Sequence, residues 1–134
     1  MKLLSAFYPL LLLLSCNSQS AEWKPAWEKH EKDFKTVVVL MNENKLQPLK
    51  DNFSYIIPDT IDLRYPCSQK VLKLDVTGAY KGNSYLFFLD TTERAFRKNP
   101  ILVYTTDSFR KELYEKEFQN NTVKIEENWY FLYN

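Results

Sequence analysis

The chain has very few of the residues from which catalytic and metal sites are usually built. Its 134 residues include one histidine, two cysteines and two glycines. Gly78 and Gly82 cannot form a glycine-rich phosphate loop, and neither H-E-x-x-H nor C-x-x-C spacing occurs. A Ser-His-Asp triad would have to use His30, but no G-x-S-x-G turn accompanies it. We therefore expect no catalytic constellation, no metal site and no cofactor.

The chain also lacks an excess of charge of either sign. It has 18 basic residues and 17 acidic ones. Lys2 is the only charged residue before Cys16, so the remainder of the chain is formally neutral. A neutral surface has no long-range field to attract a polyanion. This balance predicts that nucleic acid is not a partner.

The longest apolar run lies at the N-terminus. After Met1 and Lys2, residues 3–14 are apolar apart from Ser5 and end in consecutive leucines, and the polar residues 17–20 follow. A helix that spans a bilayer needs about 20 apolar residues, so this run is too short to span one. Residues 1–15 therefore have the organisation of an export signal peptide.

The end of this signal carries a recognisable motif. The residues Leu13-Leu14-Ser15-Cys16 resemble the lipobox of bacterial lipoproteins, in which Leu, a tolerant position, a small residue and Cys follow one another. The resemblance covers only the first sixteen or so residues. It implies a diacylglyceryl group on the Cys16 thiol, cleavage between Ser15 and Cys16, and often an acyl chain such as palmitate on the freed amine. The chain would then be a lipoprotein held at a membrane, since each buried methylene contributes roughly 0.8 kcal/mol.

Two further readings concern the location of the mature protein. Asn17 follows the lipobox cysteine, and proteobacterial lipoproteins retained in the inner membrane commonly have Asp there. The resemblance therefore implies the outer membrane, facing the periplasm, although other bacterial groups do not follow this rule. The alternative is an ordinary secretory signal cut after Ser20, which would give a secreted or periplasmic protein.

Lipidation of Cys16 would leave Cys67 without a partner in the chain. Cys67 is then either a buried, inert thiol, which we favour, or a residue that bridges to another chain. A nucleophilic Cys67–His30 pair is disfavoured because Tyr65-Pro66-Cys67-Ser68 has the pattern of a turn. A helix N-terminus, which would lower the thiol pKa, is not indicated there.

Residues 16–22 are predicted to be a lipidated N-terminus and tether, and residues 23–134 a single domain. Trp23, Trp27, His30 and Phe34 recur at spacings of three and four and predict a helix. The β-branched segment 37–41 favours a strand, yet it continues the helical phase. The segment 34–46 therefore has two interpretations, with the helix ending near residue 35 or continuing to about residue 46.

The remaining patterns predict an α+β fold with a mostly antiparallel sheet and two or three helices. A capping box predicts a short helix over 90–98, and Asp107 or Ser108 is expected to cap another helix. On that second helix, Phe109, Leu113 and Phe118 are expected to face the core. The strand segments are 53–57, 61–63, 71–77, 84–89, 101–105, 122–126 and 129–133, with hairpins joining the third to the fourth and the last two.

The last of these strands has an unusual pattern. Trp129, Phe131 and Tyr133 face one way, while Tyr130 and Leu132 face the other, so both faces are apolar. Buried central strands have this pattern, which is the interpretation we favour. At a sheet edge, Trp129, Phe131 and Tyr133 would instead form an exposed aromatic patch that binds a partner.

These patterns suggest a lipid-anchored, non-catalytic envelope protein that acts as a binding, inhibitor, immunity-like or scaffold module on an envelope protein. One alternative is a small envelope hydrolase that uses carboxylates, with Asp59/Asp62 or Glu126/Glu127 as the nearest pairs. Such an enzyme predicts a cleft with two close acids, at least one of raised pKa. The other alternative is a small-ligand carrier, which predicts a deep apolar cavity. The sequence carries no signal for an oligomeric state.

Overall fold

The chain folds around one antiparallel sheet. The computed structural model describes residues 23–63, 67–74, 82–89 and 101–133. Within these residues the sheet has six strands in the order β1-β2-β3-β4-β6-β5, and every neighbouring pair is antiparallel. The strands are β1 (Ser54–Ile56), β2 (Lys70–Lys73), β3 (Ser84–Phe88), β4 (Ile101–Thr105), β5 (Thr122–Glu126) and β6 (Trp129–Leu132).

Two helices accompany the sheet in the described residues, so the predicted α+β class is confirmed. They are α1 (Trp23–Asn42) and α2 (Ser108–Glu112), and α2 continues into a π-helical turn (Leu113–Glu117). None of the helices in these residues combines the length and the apolar character that a membrane crossing requires. The predicted helix over 90–98 lies outside the described residues.

Helix α1 resolves the ambiguity of the segment 34–46. The chain remains helical to Asn42, because Phe34, Val37, Val38 and Met41 are all buried at helical spacing. Valine is intrinsically unfavourable in a helix by roughly a few tenths of a kcal/mol. The burial of this helix face outweighs that cost. After Asn42 the chain leaves the helix, and Asn44 adopts a left-handed φ of 56°.

One face of the sheet packs on α1 and forms the main core. Phe34 of α1 meets Phe87 of β3 edge to face, with ring centroids 5.3 Å apart. Trp27 lies over Trp129 of β6 at 5.0 Å. Such pairs contribute about 0.5–1.5 kcal/mol beyond the burial of their area. Aromatic rings therefore contribute to the packing of α1 on β3 and β6, together with the buried aliphatic residues of the helix.

The opposite face of the sheet is covered in part by α2 and the π-helical turn. Asp107 caps α2, as predicted, and its side chain accepts a hydrogen bond from the Phe109 backbone N–H at 3.1 Å. The expected inward-facing set was wrong. Phe109 is 52% exposed and Phe118 45% exposed, while Tyr114 is buried against Tyr130 of β6 with ring centroids 5.4 Å apart.

The π-helical turn, which contains Tyr114, follows the α-helical part of this segment. The Phe118 N–H donates to the Leu113 carbonyl, five residues back, at 3.0 Å. A turn with this spacing rotates the following side chains away from the positions that a 3.6-residue period assigns to them. Of the two exposed phenylalanines, only Phe118 follows this turn, whereas Phe109 precedes it and is already exposed in α2. Tyr114, within the turn, packs against the sheet.

Both predicted hairpin pairings are confirmed. Strand β2 pairs with β3, although residues 75–81 between them are outside the described set. Strands β5 and β6 are joined at Glu127 and Asn128, where Asn128 has a left-handed φ of 72°. The 53–57 segment forms β1, but 61–63 is not a strand. Its Ile61 and Leu63 are buried within a turn that begins at Pro58, where the Pro58 carbonyl accepts from the Ile61 N–H.

Both edges of the sheet have features that hinder the addition of another strand. Beyond β1, Pro48 forms a bridge with Tyr55, and the Ile56 N–H donates to the Gln47 carbonyl at 3.0 Å. At the other edge, β5 has an irregular register between Lys124 and Glu126. A covering segment, a bulge and charged side chains are the usual means by which proteins prevent strand addition at an edge.

Candidate functional site

The structure describes three of the four residues that the sequence singles out, namely Trp129, Phe131 and Tyr133. Cys16 is outside the described residues. Strand β6 lies between β4 and β5, so it is not at an edge, and Trp129 and Phe131 are 3% and 0% exposed. The interpretation of β6 as a buried strand is confirmed. Trp129 and Phe131 therefore cannot form an exposed aromatic patch, whereas Tyr133, just past the strand, is only partly buried.

His30 and Cys67 are both buried in the main core region. The His30 Nδ1 lies 3.4 Å from the Asp33 carboxylate, one helical turn away. Burial raises the pKa of Cys67 to about 12, and the Cys67 thiol donates to the Ser68 carbonyl at 2.8 Å. A thiol with this pKa is protonated at neutral pH and is a poor nucleophile. Cys67 is thus a buried thiol, as favoured from the sequence.

Several carboxylates lie in ion pairs at the surface. The Lys111 ammonium beside Glu127 lowers the pKa of that carboxyl, and donation from Lys124 and then Tyr130 lowers the pKa of Glu115. Glu126 forms an ion pair with Lys35 at 2.7 Å. A carboxyl of lowered pKa is ionised at neutral pH, whereas a general acid needs the opposite shift. No group of three or more potential metal ligands occurs in the described part of the chain.

A network of polar side chains occupies one end of the sheet, which we call the polar end. It consists of Asn42 at the end of α1, Asn83, Ser84 and Tyr85 around the start of β3, and Thr105, Thr106 and Asp107 around the end of β4. The Asn42 Oδ1 accepts from the Tyr85 hydroxyl at 2.6 Å and from the Asn83 amide at 2.9 Å. Ser84 and Thr105 share a buried hydroxyl contact of 2.6 Å.

The polar end also holds the start of α2 in place. Asp107 is 1% exposed, its backbone N–H donates to Thr105 Oγ1 at 3.1 Å, and its Oδ2 lies 3.6 Å from Arg110 Nε. Lys111 donates to Asn128 at 2.8 Å and to Glu127, which ties α2 to the β5–β6 turn. Because its first turn is fixed by buried polar groups, α2 presents its outer side in a defined orientation.

The outer side of α2 is the candidate site, which we call the α2 surface. We define it as the segment from Phe109 to Phe118, in which Phe109 and Phe118 are exposed and Leu113 is partly buried. A shallow groove of about 190 Å³ runs along it, lined by Phe109, Glu112, Leu113, Lys116 and Glu117. Glu112 and Lys116 form an ion pair at 2.9 Å beside the groove. Exposed aromatic rings bordered by charges of both signs are typical of surfaces that contact proteins.

A second groove, of about 430 Å³, lies on the outer side of α1 and is lined by Glu31, Lys32, Lys35, Thr36 and Val39. Lys35 bonds to Glu126 at 2.7 Å and to Glu31 at 3.0 Å, which raises its pKa, and its ammonium lies 5.8 Å from the centre of the Trp27 ring. This lysine therefore joins α1 to β5. None of the residues that line this groove is aromatic, whereas Phe109 lines the groove of the α2 surface.

The chain matches no family model, no curated protein and no solved structure. The candidate site therefore rests on the geometry of this molecule. The sequence could not identify it, because the apolar character of Phe109, Leu113 and Phe118 predicts that they face the core, whereas Phe109 and Phe118 are exposed. The sequence does indicate where α2 begins, because Asp107 is a residue type that commonly caps a helix.

Proposed function

We propose that this chain is a lipid-anchored binding module of the bacterial envelope. It is attached through acylated Cys16, most simply at the outer membrane facing the periplasm, and it contacts an envelope protein through the α2 surface. In this role it inhibits, protects or scaffolds its partner by occupying a surface, and it performs no chemistry of its own. The resemblance of residues 13–16 to the lipobox supports the attachment.

The observation that carries the partner contact is the exposure of two phenylalanines on one short element. Phe109 and Phe118 each expose about half of their side chain, 52% and 45% respectively. Aromatic side chains bury roughly 150–250 Å² each when fully covered, and they dominate the energetics of many interfaces. Tyr114 anchors the same element to the sheet, so docking would require little reorganisation of the domain.

The anchor is tested by metabolic labelling with palmitate. The wild-type chain should incorporate label, fractionate with membranes and have a mature mass without residues 1–15, while a Cys16→Ser variant should lose the label and the membrane fractionation. A wild-type protein that takes up no palmitate, or that retains residues 1–15, would contradict the proposed attachment.

The partner contact is tested by pull-down from detergent-solubilised envelopes of the source bacterium. Wild-type protein should capture a partner reproducibly, and a Phe109→Ser/Phe118→Ser double variant should capture at least tenfold less. Phe53→Ser is the matched control, because Phe53 is 49% exposed but precedes β1 and is not part of the α2 surface. Circular dichroism should show that all three proteins are equally folded.

Two results would contradict this function. One is a partner that binds the double variant as well as it binds the wild type. The other is turnover of a glycan or peptide by the purified protein together with no reproducible partner, which would indicate an envelope hydrolase instead.

A further inference from the structure

A group of aromatic rings lies at the start of α1, which we call the aromatic end. The Trp23 and Phe131 ring centroids are 5.9 Å apart, and those of Phe131 and Tyr133 are 5.8 Å apart. Phe131 is fully buried, while Trp23 and Tyr133 on either side of it are only partly buried. Part of each outer ring therefore remains at the surface, and the Tyr133 N–H is held by the Asn121 carbonyl at 3.0 Å.

The aromatic end is also the part of the domain nearest to the proposed anchor along the chain. Six residues, 17–22, separate Cys16 from Trp23. A chain of this length spans at most about 25 Å when fully extended. Helix α1, with 20 residues, extends for about 30 Å from Trp23 to Asn42, where the polar end begins. The proposed anchor therefore limits the distance between the membrane and the aromatic end more than the distance between the membrane and the polar end.

We propose that the aromatic end rests on the lipid surface, with the outer rings of Trp23 and Tyr133 at the level of the headgroups. This inference rests on the proposed lipid anchor. Tryptophan and tyrosine are enriched at membrane interfaces because each has an apolar body and a polar tip. A tether of about 25 Å at most keeps these two rings within reach of the bilayer at every moment.

The charges near Trp23 identify which lipid chemistry matters. The charged residues closest to Trp23 in sequence carry two charges of each sign, namely Glu22, Lys24, Glu28 and Lys29. Juxtamembrane lysine clusters draw proteins to anionic lipid, but a balanced set does not. The contact should therefore form equally on zwitterionic phosphatidylcholine and should change little with salt.

The test uses the purified, lipidated chain in phosphatidylcholine vesicles that contain a fraction of lipid with a nitroxide quencher in the headgroup region. A fluorophore is attached to cysteine introduced by Lys24→Cys, at the aromatic end, or by Glu43→Cys, one residue beyond α1. Both positions are exposed. Cys16 is consumed by the lipid, and buried Cys67 should react slowly because burial raises its pKa to about 12, so unmodified protein serves as the labelling blank.

The fluorophore at position 24 should be quenched at least threefold more than the one at position 43. Adding Trp23→Ser to the first protein should reduce that quenching, while the Tyr85→Phe change at the polar end should leave it unaltered. Equal quenching at the two positions, in protein that sediments with the vesicles, would overturn the contact while the anchor stands. A Cys16→Ser protein that still sediments would overturn the anchor, and the contact argued from it.

Discussion

The two ends of the sheet are held together by different interactions. At the polar end, hydroxyl and amide groups are joined by directional bonds as short as 2.6 Å between Tyr85 and Asn42. At the aromatic end, Trp23, Phe131 and Tyr133 are in ring contact, at centroid separations near 6 Å. Directional bonds fix one arrangement, whereas ring contacts tolerate partial exposure. The polar end therefore orients α2. The aromatic end, whose outer rings remain partly exposed, is the end for which a lipid contact is proposed.

The largest expected effect comes from a change at the polar end. Gly82 has a φ of 143°, and a Cβ placed on it would lie 2.8 Å from the Asp107 backbone nitrogen and 2.9 Å from the Thr106 carbonyl carbon. Backbone strain and overpacking each cost about 1–3 kcal/mol. Gly82→Ala should therefore lower the free energy of unfolding by about 3 kcal/mol in urea denaturation. A loss below about 1 kcal/mol would show that the polar end adjusts easily to an added methyl group. That result would contradict the difference drawn between the two ends.

A smaller loss is expected when one hydroxyl is removed from the same end. Tyr85→Phe deletes the bond to the Asn42 Oδ1, which still accepts from Asn83, so the cost should be about 1 kcal/mol in urea denaturation. A neutral result would mean that the network contributes little to stability.

The same variant has a signature in alkali. Burial, followed by the charges of Tyr104 and Tyr55, raises the pKa of Tyr85 to about 12 from an ordinary value of 10.0. Between these values the unfolded chain loses the Tyr85 proton and the folded chain keeps it, so the free energy of unfolding should fall as pH rises from 10 to 12. Tyr85→Phe should make that fall less steep. An unchanged slope would mean that Tyr85 ionises equally in both states.

The smallest effect is expected from the matched change at the aromatic end. Among the described residues the Tyr133 hydroxyl has no hydrogen-bond partner, and the contact with Phe131 involves the ring alone. Tyr133→Phe should therefore change the free energy of unfolding by less than about 0.5 kcal/mol in urea denaturation. If it costs as much as Tyr85→Phe, the two ends do not differ in the way described.

Much of the fold could be predicted from local pattern. Short segments rich in β-branched and aromatic residues marked β3, β4, β5 and β6, and the hairpin pairings followed from the turns between segments. The segment 34–46 had to remain ambiguous, because Val37 and Val38 favour a strand by propensity and a helix by phase. Only the burial of both against the sheet decides between these, and burial is a property of the assembled core.

The candidate site was harder to predict than the fold. The apolar character of Phe109, Leu113 and Phe118 predicts that they face the core, and nothing local indicates the π-helical turn that follows Glu112. Tyr114 packs on Tyr130, and the Glu115 carboxylate accepts from the Tyr130 hydroxyl at 3.0 Å. These contacts join residues distant in sequence, so they become visible only when β6 lies beneath the turn.

By itself the sequence determined the α+β class, the phase of α1, the cap at Asp107 and the lipobox resemblance that motivates the anchor, because each depends on neighbouring residues or on short spacings. The tertiary structure decided that β6 lies inside the sheet, which buries Trp129 and Phe131, and that Phe109 and Phe118 face outward. Those outcomes depend on strand order and on contacts between distant segments. Spacing along the chain cannot encode such contacts uniquely, since the same alternation suits an edge strand or a central one.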